Sequence, residues 1–367
     1  MIERKGVNKA MEYSRLGQID FKANIGNRVF ATFLARDVSV RLQKDKVTKF
    51  IVFNMVDKST SIEARIFGAS DEVIELVKEG KVFNAAVDVK PYDKSNVGYS
   101  CIIYNIDEAN IAPEYFADWA PGLDEARNII NNVITTYYDT TYGKLAYRII
   151  SKHWDKFSTW TAASSMHHAQ LGGLLKHTSE VVVLSEKLAD YFNELYNETF
   201  INKPLLLCTA VIHDIGKIFE LDVDTLSGKT EYTTHSLLAT HIMDGMHEID
   251  IRAFELGIGK SDLYDDDGNI IGKRHPEEVE DEIEEINLMR HCLATHHGRL
   301  EYGSPMLASI PEAVLLSYAD NMSAEMNRYN KNLENLSPGE FVTNWINGQY
   351  SKMYKDTSKI DDVEVQE

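Results

Sequence analysis

Pro204-Leu-Leu-Leu-Cys-Thr-Ala-Val-Ile-His213-Asp214-Ile-Gly216-Lys217 is a run of apolar side chains that closes on an imidazole, a carboxylate and an ammonium. Proline is tolerated in the first helical turn, so the pattern predicts a helix entered through Pro204, carried on to Phe219, apolar on nearly every side and therefore buried. Ionisable groups at the end of such a helix cost on the order of several kcal/mol unless they are paired or bound to metal. A cation held by His213 and Asp214 is one compensation. A hydrogen-bonded core histidine is the plainer alternative.

Other residues of the same types decide between the two. His177, His241, the pair His296-His297, and Asp320 within Val314-Leu-Leu-Ser-Tyr-Ala-Asp320 each interrupt an apolar stripe on another helical segment. Interruptions of this kind point to side chains converging on one interior point of a helical bundle. Helices are expected over 123–138, 143–153, 171–195, 236–256, 276–295 and 311–330. The last two open on proline, and Gly298 stands where a helix ending at His297 wants a left-handed residue.

Upstream the period changes to that of strands. Runs at 29–35, 49–56, 61–67, 82–89 and 101–106 read as β structure, with a short helix between the third and fourth that Ser70 caps and Gly80 ends. Three strands, a helix and two more strands in about 85 residues is the order of an OB-fold barrel. Such barrels hold single strands on basic and aromatic side chains, for which Arg41, Lys44, Lys46, Lys49, Phe50, Phe53 and Arg65 are the local candidates. The alternative is that the phenylalanines are core and the charges solvate a hairpin. The stretch from 108 to 122, with two prolines and no period, reads as a linker. The expected layout is a β-barrel over 1–112, a linker and helical lead-in over 113–160, an all-α domain over 161–335 and a C-terminal extension over 336–367. Its last dozen residues are acidic and expected to fray.

A length of 367 residues fits two or three domains, and 44% hydrophobic residues are ample for their cores. No run approaches the roughly 18 apolar residues of a membrane span, and Met1-Ile-Glu-Arg-Lys is not followed by a signal region, so a cytoplasmic protein without a membrane partner is expected. Cys101, Cys208 and Cys292 lie far apart in apolar surroundings and read as reduced core residues. The net charge of −19 argues against a protein that simply coats nucleic acid. The charge is uneven, however: about 17 basic and 15 acidic side chains in the first 112 residues, against about 21 and 42 in the rest. The barrel is the better place for a polyanion.

The ordered strings Met166-His-His168-Ala-Gln-Leu-Gly172-Gly173-Leu-Leu-Lys-His177-Thr, His213-Asp214-Ile-Gly-Lys217, Glu231-Tyr-Thr-Thr-His-Ser-Leu-Leu-Ala-Thr-His241, His296-His297-Gly298 with Glu301-Tyr-Gly-Ser-Pro305, and Asp320-Asn-Met-Ser-Ala resemble the HD-domain part of the YhaM-type 3′→5′ exoribonucleases. Those bacterial enzymes carry an OB-fold ahead of the HD domain, so the resemblance covers roughly residues 20 to 335. It implies that His177, His213, Asp214 and Asp320 ligate one metal. His241 and His296, with His297 beside them, would serve a second metal or the phosphate, and Asp214 would bridge. Imidazole and carboxylate without thiolate suit manganese, iron, cobalt, nickel or zinc and do not choose among them. The resemblance implies manganese.

Two divalent ions there predict hydrolysis at phosphorus, with Asp214 and Lys217 as catalytic residues and the Lys217 ammonium stabilising phosphoryl charge. His168 is placed at the rim as a substrate contact. The partner implied is single-stranded nucleic acid, RNA favoured and DNA allowed, cleaved to nucleoside 5′-monophosphates. Assembly into a homo-oligomer stays open. Two other readings stay open as well: a nucleotide phosphohydrolase or cyclic-nucleotide phosphodiesterase, and a non-catalytic strand-binding factor with a structural metal. The segment between His241 and His296 is longer than in the family. Within it Asp265 to Asn269 lack the ligand spacing of a calcium loop and predict a hairpin turn. An insertion there would narrow or gate access to the site.

Overall fold

The computed structural model describes residues 13–57, 60–92, 98–164, 168–225, 228–264, 269–334, 336, 341–343 and 352–355. His167, the turn residues 265–268 and the acidic tail 356–367 lie outside the described residues, as do residues 1–12 of the expected barrel. The chain divides into two compact units, Met1–Trp119 with Asp224–Lys229, and Ala120–Val223 with Thr230–Glu367.

The first unit is the expected barrel. After a two-residue strand β1 (Ser14–Arg15), the long β2 (Arg28–Leu42) pairs antiparallel with β3 (Lys49–Asp57), and β3 with β4 (Thr60–Phe67). A short helix α1 (Asp71–Leu76) follows, with Ser70 accepting from the Val73 amide as its cap. The helix is shorter than Gly80 suggested, because its last turn ends in extended backbone at Val77. Then β5 (Val82–Pro91) pairs antiparallel with β6 (Tyr99–Glu108). β6 returns parallel to β4 and β5 antiparallel to β2, which closes five strands into a barrel. Register shifts in β2, between Arg36 and Ser39, and in β6, where Tyr104 is the extra residue opposite Ala86 and Val87, supply the bends that closure needs. Phe33, Ile51, Phe53, Met55, Phe83 and Ile103 fill the interior.

The expected linker is held in place along its length: the Ala109 amide donates to the Val82 carbonyl at 2.8 Å, and Ala117 and Ala120 are buried. Residues Pro113–Phe116 form a 3-10 turn, and the Phe116 ring is buried against Leu34 and Val82 of the barrel, so an aromatic side chain overrides the proline signal.

The second unit is helical: α2 (Leu123–Tyr137), α3 (Thr141–Thr159), α4 (Gly173–Leu195), α5 (Lys203–Ile212), α6 (Lys217–Glu220), α7 (His241–Leu256), α8 (Pro276–Thr295) and α9 (Pro311–Glu334). α2 and α3 contribute Ile130, Leu145 and Ile149 to its core. They are therefore part of the bundle in packing terms. Two small hairpins decorate it, β7 (Leu221–Val223) with β8 (Thr230–Tyr232), and β9 (Asp262–Tyr264) with β10 (Ile270–Lys273). The second is the hairpin expected in the long segment. Among the described residues no helix is long and apolar enough to cross a membrane.

The helix expected from Pro204 to Phe219 is two helices. Asn202 caps α5 by accepting from the Leu205 amide, every residue from Leu205 to Ile212 is buried, and the chain then turns through His213–Gly216 before α6 begins. Gly216 allows the turn to pack tightly, since a β-carbon there would meet the His241 carbonyl oxygen at 1.9 Å.

Candidate metal centre

The turn after α5 is the middle of the site. It presents His213 and Asp214 inward, and around it stand His177 from α4, His241 as the first residue of α7, His296 and His297 just past α8, and Asp320 from α9. All seven residues singled out as metal ligands in the sequence come together, in two groups of four that share Asp214. His177, His213, Asp214 and Asp320 form one, and Asp214, His241, His296 and His297 the other; in each, one ligand atom per residue lies within 4.8 Å of the rest. The two oxygens of Asp214 divide the groups between them. Oδ2 is 3.4 Å from both His177 Nε2 and His213 Nε2, and Oδ1 is 3.7 Å from both His241 Nε2 and His296 Nε2.

Each of the five imidazoles has its Nδ1 occupied from behind. His213 Nδ1 lies 2.8 Å from the Ala210 carbonyl, His296 Nδ1 2.6 Å from that of Leu293, and His297 Nδ1 2.7 Å from that of Tyr302. A carbonyl can only accept, so these Nδ1 atoms carry hydrogens and their Nε2 lone pairs face inward in the neutral rings. His241 Nδ1 meets the Glu220 carboxylate at 2.7 Å. Ser323 Oγ donates to Glu180 Oε2 at 2.8 Å, which leaves its lone pair to accept from His177 Nδ1 at 3.0 Å. Outer partners of this kind orient imidazoles toward a metal and raise their basicity.

The inward atoms fit a cation. His177 Nε2 faces His213 Nε2 at 3.3 Å, and His241 Nε2 faces His297 Nε2 at 3.2 Å, contacts that two lone pairs do not favour without positive charge between them. Asp214 Oδ1 and His296 Nε2 are buried with no hydrogen-bond partner among the described residues. Leaving such atoms unmatched costs about 1–3 kcal/mol each, and one divalent ion satisfies both. The donor set is nitrogen and oxygen alone, suited to divalent transition metals.

The charges are strongly coupled. Burial pushes the Asp214 carboxyl up, but Lys217 and His213 hold it well below the usual carboxylate range. Lys217 Nζ donates to Asp214 Oδ2 at 2.7 Å, and that carboxylate raises the Lys217 ammonium against its own burial. Burial works against a charged His177, yet hydrogen bonds to Asp214 and Asp320 raise it to about 9. His296 and His297 go the other way: burial, reinforced by neighbouring imidazoles, holds both below the ordinary histidine value.

Other expected site residues are placed differently. His168 is not at a rim: it is 2% exposed, its Nε2 lies 3.1 Å from Glu180 Oε2, and its ring centre is 5.2 Å from that of His177. On the barrel, Phe53 is 1% exposed and packs in the core against Phe33, so it cannot stack on a base; strand alternation turns it inward. Phe50, three residues earlier, faces outward beside Phe67 of β4, with ring centres 5.5 Å apart and nearly parallel. Arg41 pairs opposite Phe50 in the β2–β3 ladder, Lys44 is exposed beyond the end of β2, and the exposed Lys49 binds Asp71 at 2.8 Å. Phe67, Glu180, Glu220 and Ser323 were not anticipated. For Phe67 the signal was available, since pairing the two expected strands in register sets it opposite Phe50.

A family model described as "HD domain" matches residues 174–325, a span that includes all seven candidate ligand residues. Over 312 residues the chain is 26% identical to the 3′-5′ exoribonuclease YhaM of Bacillus subtilis, covering 84% of this chain and 88% of that protein. The YhaM proteins of Geobacillus sp. and Bacillus pumilus are each 25% identical, covering 87% and 84% of this chain and 89% and 88% of theirs. Among solved structures, an aspartyl-tRNA synthetase of Entamoeba histolytica aligns over 77% of this chain and 59% of its own at 10% identity, with a TM-score of 0.22 that carries no argument.

Proposed function

We propose that this chain, a YhaM-type HD-domain protein with an N-terminal OB-like barrel, is a metal-dependent 3′→5′ exoribonuclease of the cytoplasm. It shortens single-stranded RNA, and DNA as a second substrate, releasing nucleoside 5′-monophosphates. One observation carries the reading: five imidazoles with Nδ1 engaged from behind turn Nε2 toward a buried carboxylate that two ligand groups share.

His177, His213, Asp214 and Asp320 would hold one ion, and Asp214, His241, His296 and His297 a second, both Mn2+. Such ions supply Lewis-acid stabilisation of the non-bridging phosphoryl oxygens and acidify water. The protein's own groups do the rest. Lys217 keeps Asp214 ionised and adds positive charge where phosphoryl oxygens gather. His297, the ligand at the more open side, meets the incoming strand, and the enclosed ligands behind it favour a strand end over a mid-strand bond. Arg41, Lys44, Lys49, Phe50 and Phe67 on the barrel hold the upstream strand by charge and stacking. The 3′ polarity is taken from what the YhaM relatives are named for.

The test is product analysis with Mn2+ present. RNA labelled at its 5′ end yields a descending ladder and free 5′-monophosphates, a 3′-phosphate hinders the start, and base-paired stretches slow the enzyme. Rapid hydrolysis of nucleoside triphosphates or cyclic dinucleotides with the RNA left intact overturns the proposal.

A further inference from the structure

His297 belongs to the second ligand group and also borders a cavity of about 480 Å3. That volume lies within the roughly 300–1,000 Å3 typical of small-molecule sites, room for one nucleotide. One wall is the segment after α8, with Arg299 and Tyr302; the other is a face of α9, with Ser317, Tyr318 and Asn321. Ser317, Asn321 and Glu325 repeat at four-residue spacing, so they form one polar row along the helix. Asn321 directly follows Asp320 in sequence, and the row runs along α9 from beside the ligand groups. Gly298 permits the approach of the two walls: its φ is +74°, and a β-carbon there would stand 2.3 Å from Ser317 Oγ.

The two phenol rings are not equivalent. Tyr302 lends its carbonyl to His297 and has the Arg299 guanidinium over its ring, 5.7 Å from the centroid, so this wall is engaged in orienting a ligand and a cation. Tyr318 stands on a helix and is 66% exposed, a large ring available to solvent. Aromatic faces that project in this way stack on bases with little regard to sequence, while amide and hydroxyl groups beside them distinguish RNA from DNA through the 2′-hydroxyl.

We propose that this cavity takes the 3′-terminal nucleotide of the strand, its base stacked on Tyr318 and its ribose hydroxyls hydrogen-bonded by Asn321, which makes Asn321 the residue that sets the preference for ribose over deoxyribose. Arg299 faces the phosphate that enters past His297. The inference rests on the exonuclease reading and adds to it a site for the leaving nucleotide.

The experiment uses the full chain loaded with Mn2+ and compares matched oligoribonucleotides and oligodeoxyribonucleotides. Both residues are exposed on a helix, so alanine is accommodated there, and metal content and thermal midpoint are expected to match the wild type in each variant. Asn321→Ala lowers the RNA-to-DNA ratio of kcat/KM about fivefold, what one neutral hydrogen bond is worth. Tyr318→Ala raises KM about tenfold on both sugars with a smaller change in kcat, and weakens adenosine 5′-monophosphate binding by a similar factor in calorimetry. An unchanged RNA-to-DNA ratio in Asn321→Ala overturns the ribose assignment, and unchanged KM and monophosphate affinity in Tyr318→Ala overturn the cavity. If the wild type leaves RNA intact the exonuclease reading fails, and the monophosphate titration then judges the cavity alone: weakened binding in Tyr318→Ala supports it, and unchanged binding overturns it.

Discussion

The two ligand groups that meet at Asp214 are built from different stock. The His177, His213, Asp214, Asp320 group has two carboxylates to two imidazoles, and both of its imidazoles are fully buried. The Asp214, His241, His296, His297 group has one carboxylate to three imidazoles and reaches the cavity through His297. More negative charge and two fully buried imidazoles would make the first group the tighter holder of a cation, whereas imidazoles beside a cavity would make the second one exchangeable and open to phosphate. On the proposed reading the pairing is a division of labour, in which one ion would be fixed with the fold and the other exposed to substrate.

Breaking the shared carboxylate has the largest expected effect. Asp214→Ala removes an oxygen from each group and is expected to lower turnover by about a thousandfold or more, the several kcal/mol that a metal contributes, with Mn2+ content falling at both sites by elemental analysis. Asp320→Ala is expected to lose chiefly the first ion. His297→Ala is expected to be milder than His296→Ala, because His296 is buried and His297 is the outermost ligand. Equal metal loss in Asp320→Ala and His297→Ala would remove the distinction between the groups.

A smaller effect comes from the atoms behind the ligands. Ser323→Ala deletes the acceptor of the His177 Nδ1 hydrogen and the donor to Glu180, and is expected to weaken Mn2+ at the first group by about 10–100-fold while the second is spared. Glu220→Ala is expected to show the reverse pattern through His241. Competition titrations with a chelator measure both, and a loss shared equally between the two ions in either variant would argue that the groups act as one.

How far this was legible in the sequence follows from which signals are local. Apolar runs ending in His or Asp announced the residues that converge, because a buried ionisable side chain contradicts its surroundings wherever it sits. The break between α5 and α6 was hidden, since it depends on how closely Gly216 approaches a carbonyl 25 residues away in the chain. Three of the five Nδ1 acceptors are backbone carbonyls, which no residue type reveals. On the barrel, alternation was enough to find the strands, but a string of aromatic residues does not say which one faces in, and Phe53 was assigned to the wrong face. Phe116 shows the same blindness: proline and the loss of period signal a linker, while a buried ring and backbone hydrogen bonds from Ala109 and Ala120 help to pin it.

The last expectation separates the groups by pH in protein stripped of metal. His177 is raised to about 9 in the fold from an ordinary value near 6.5. The fold therefore binds a proton there more tightly than the unfolded chain, and the stability this confers is complete below about pH 6.5 and lost as pH rises through about 9. His296 is depressed well below the ordinary value, so the unfolded chain takes up its proton first and stability drains as pH falls below about 6.5. Asp214 and Asp320, also depressed, deepen that acid loss at lower pH. The two histidines thus fail at opposite ends of the scale, and the thermal midpoint of the chelator-treated protein is expected to peak near neutrality and to fall by a few degrees on either side, about 2–4 °C for each kcal/mol in a domain of this size. Calorimetry from pH 5 to 9.5 checks it. His177→Gln should flatten the alkaline flank and leave the acid flank, and His296→Gln should do the converse; if both variants flatten the same flank, the two groups titrate as one unit and the division of labour drawn from their composition is wrong.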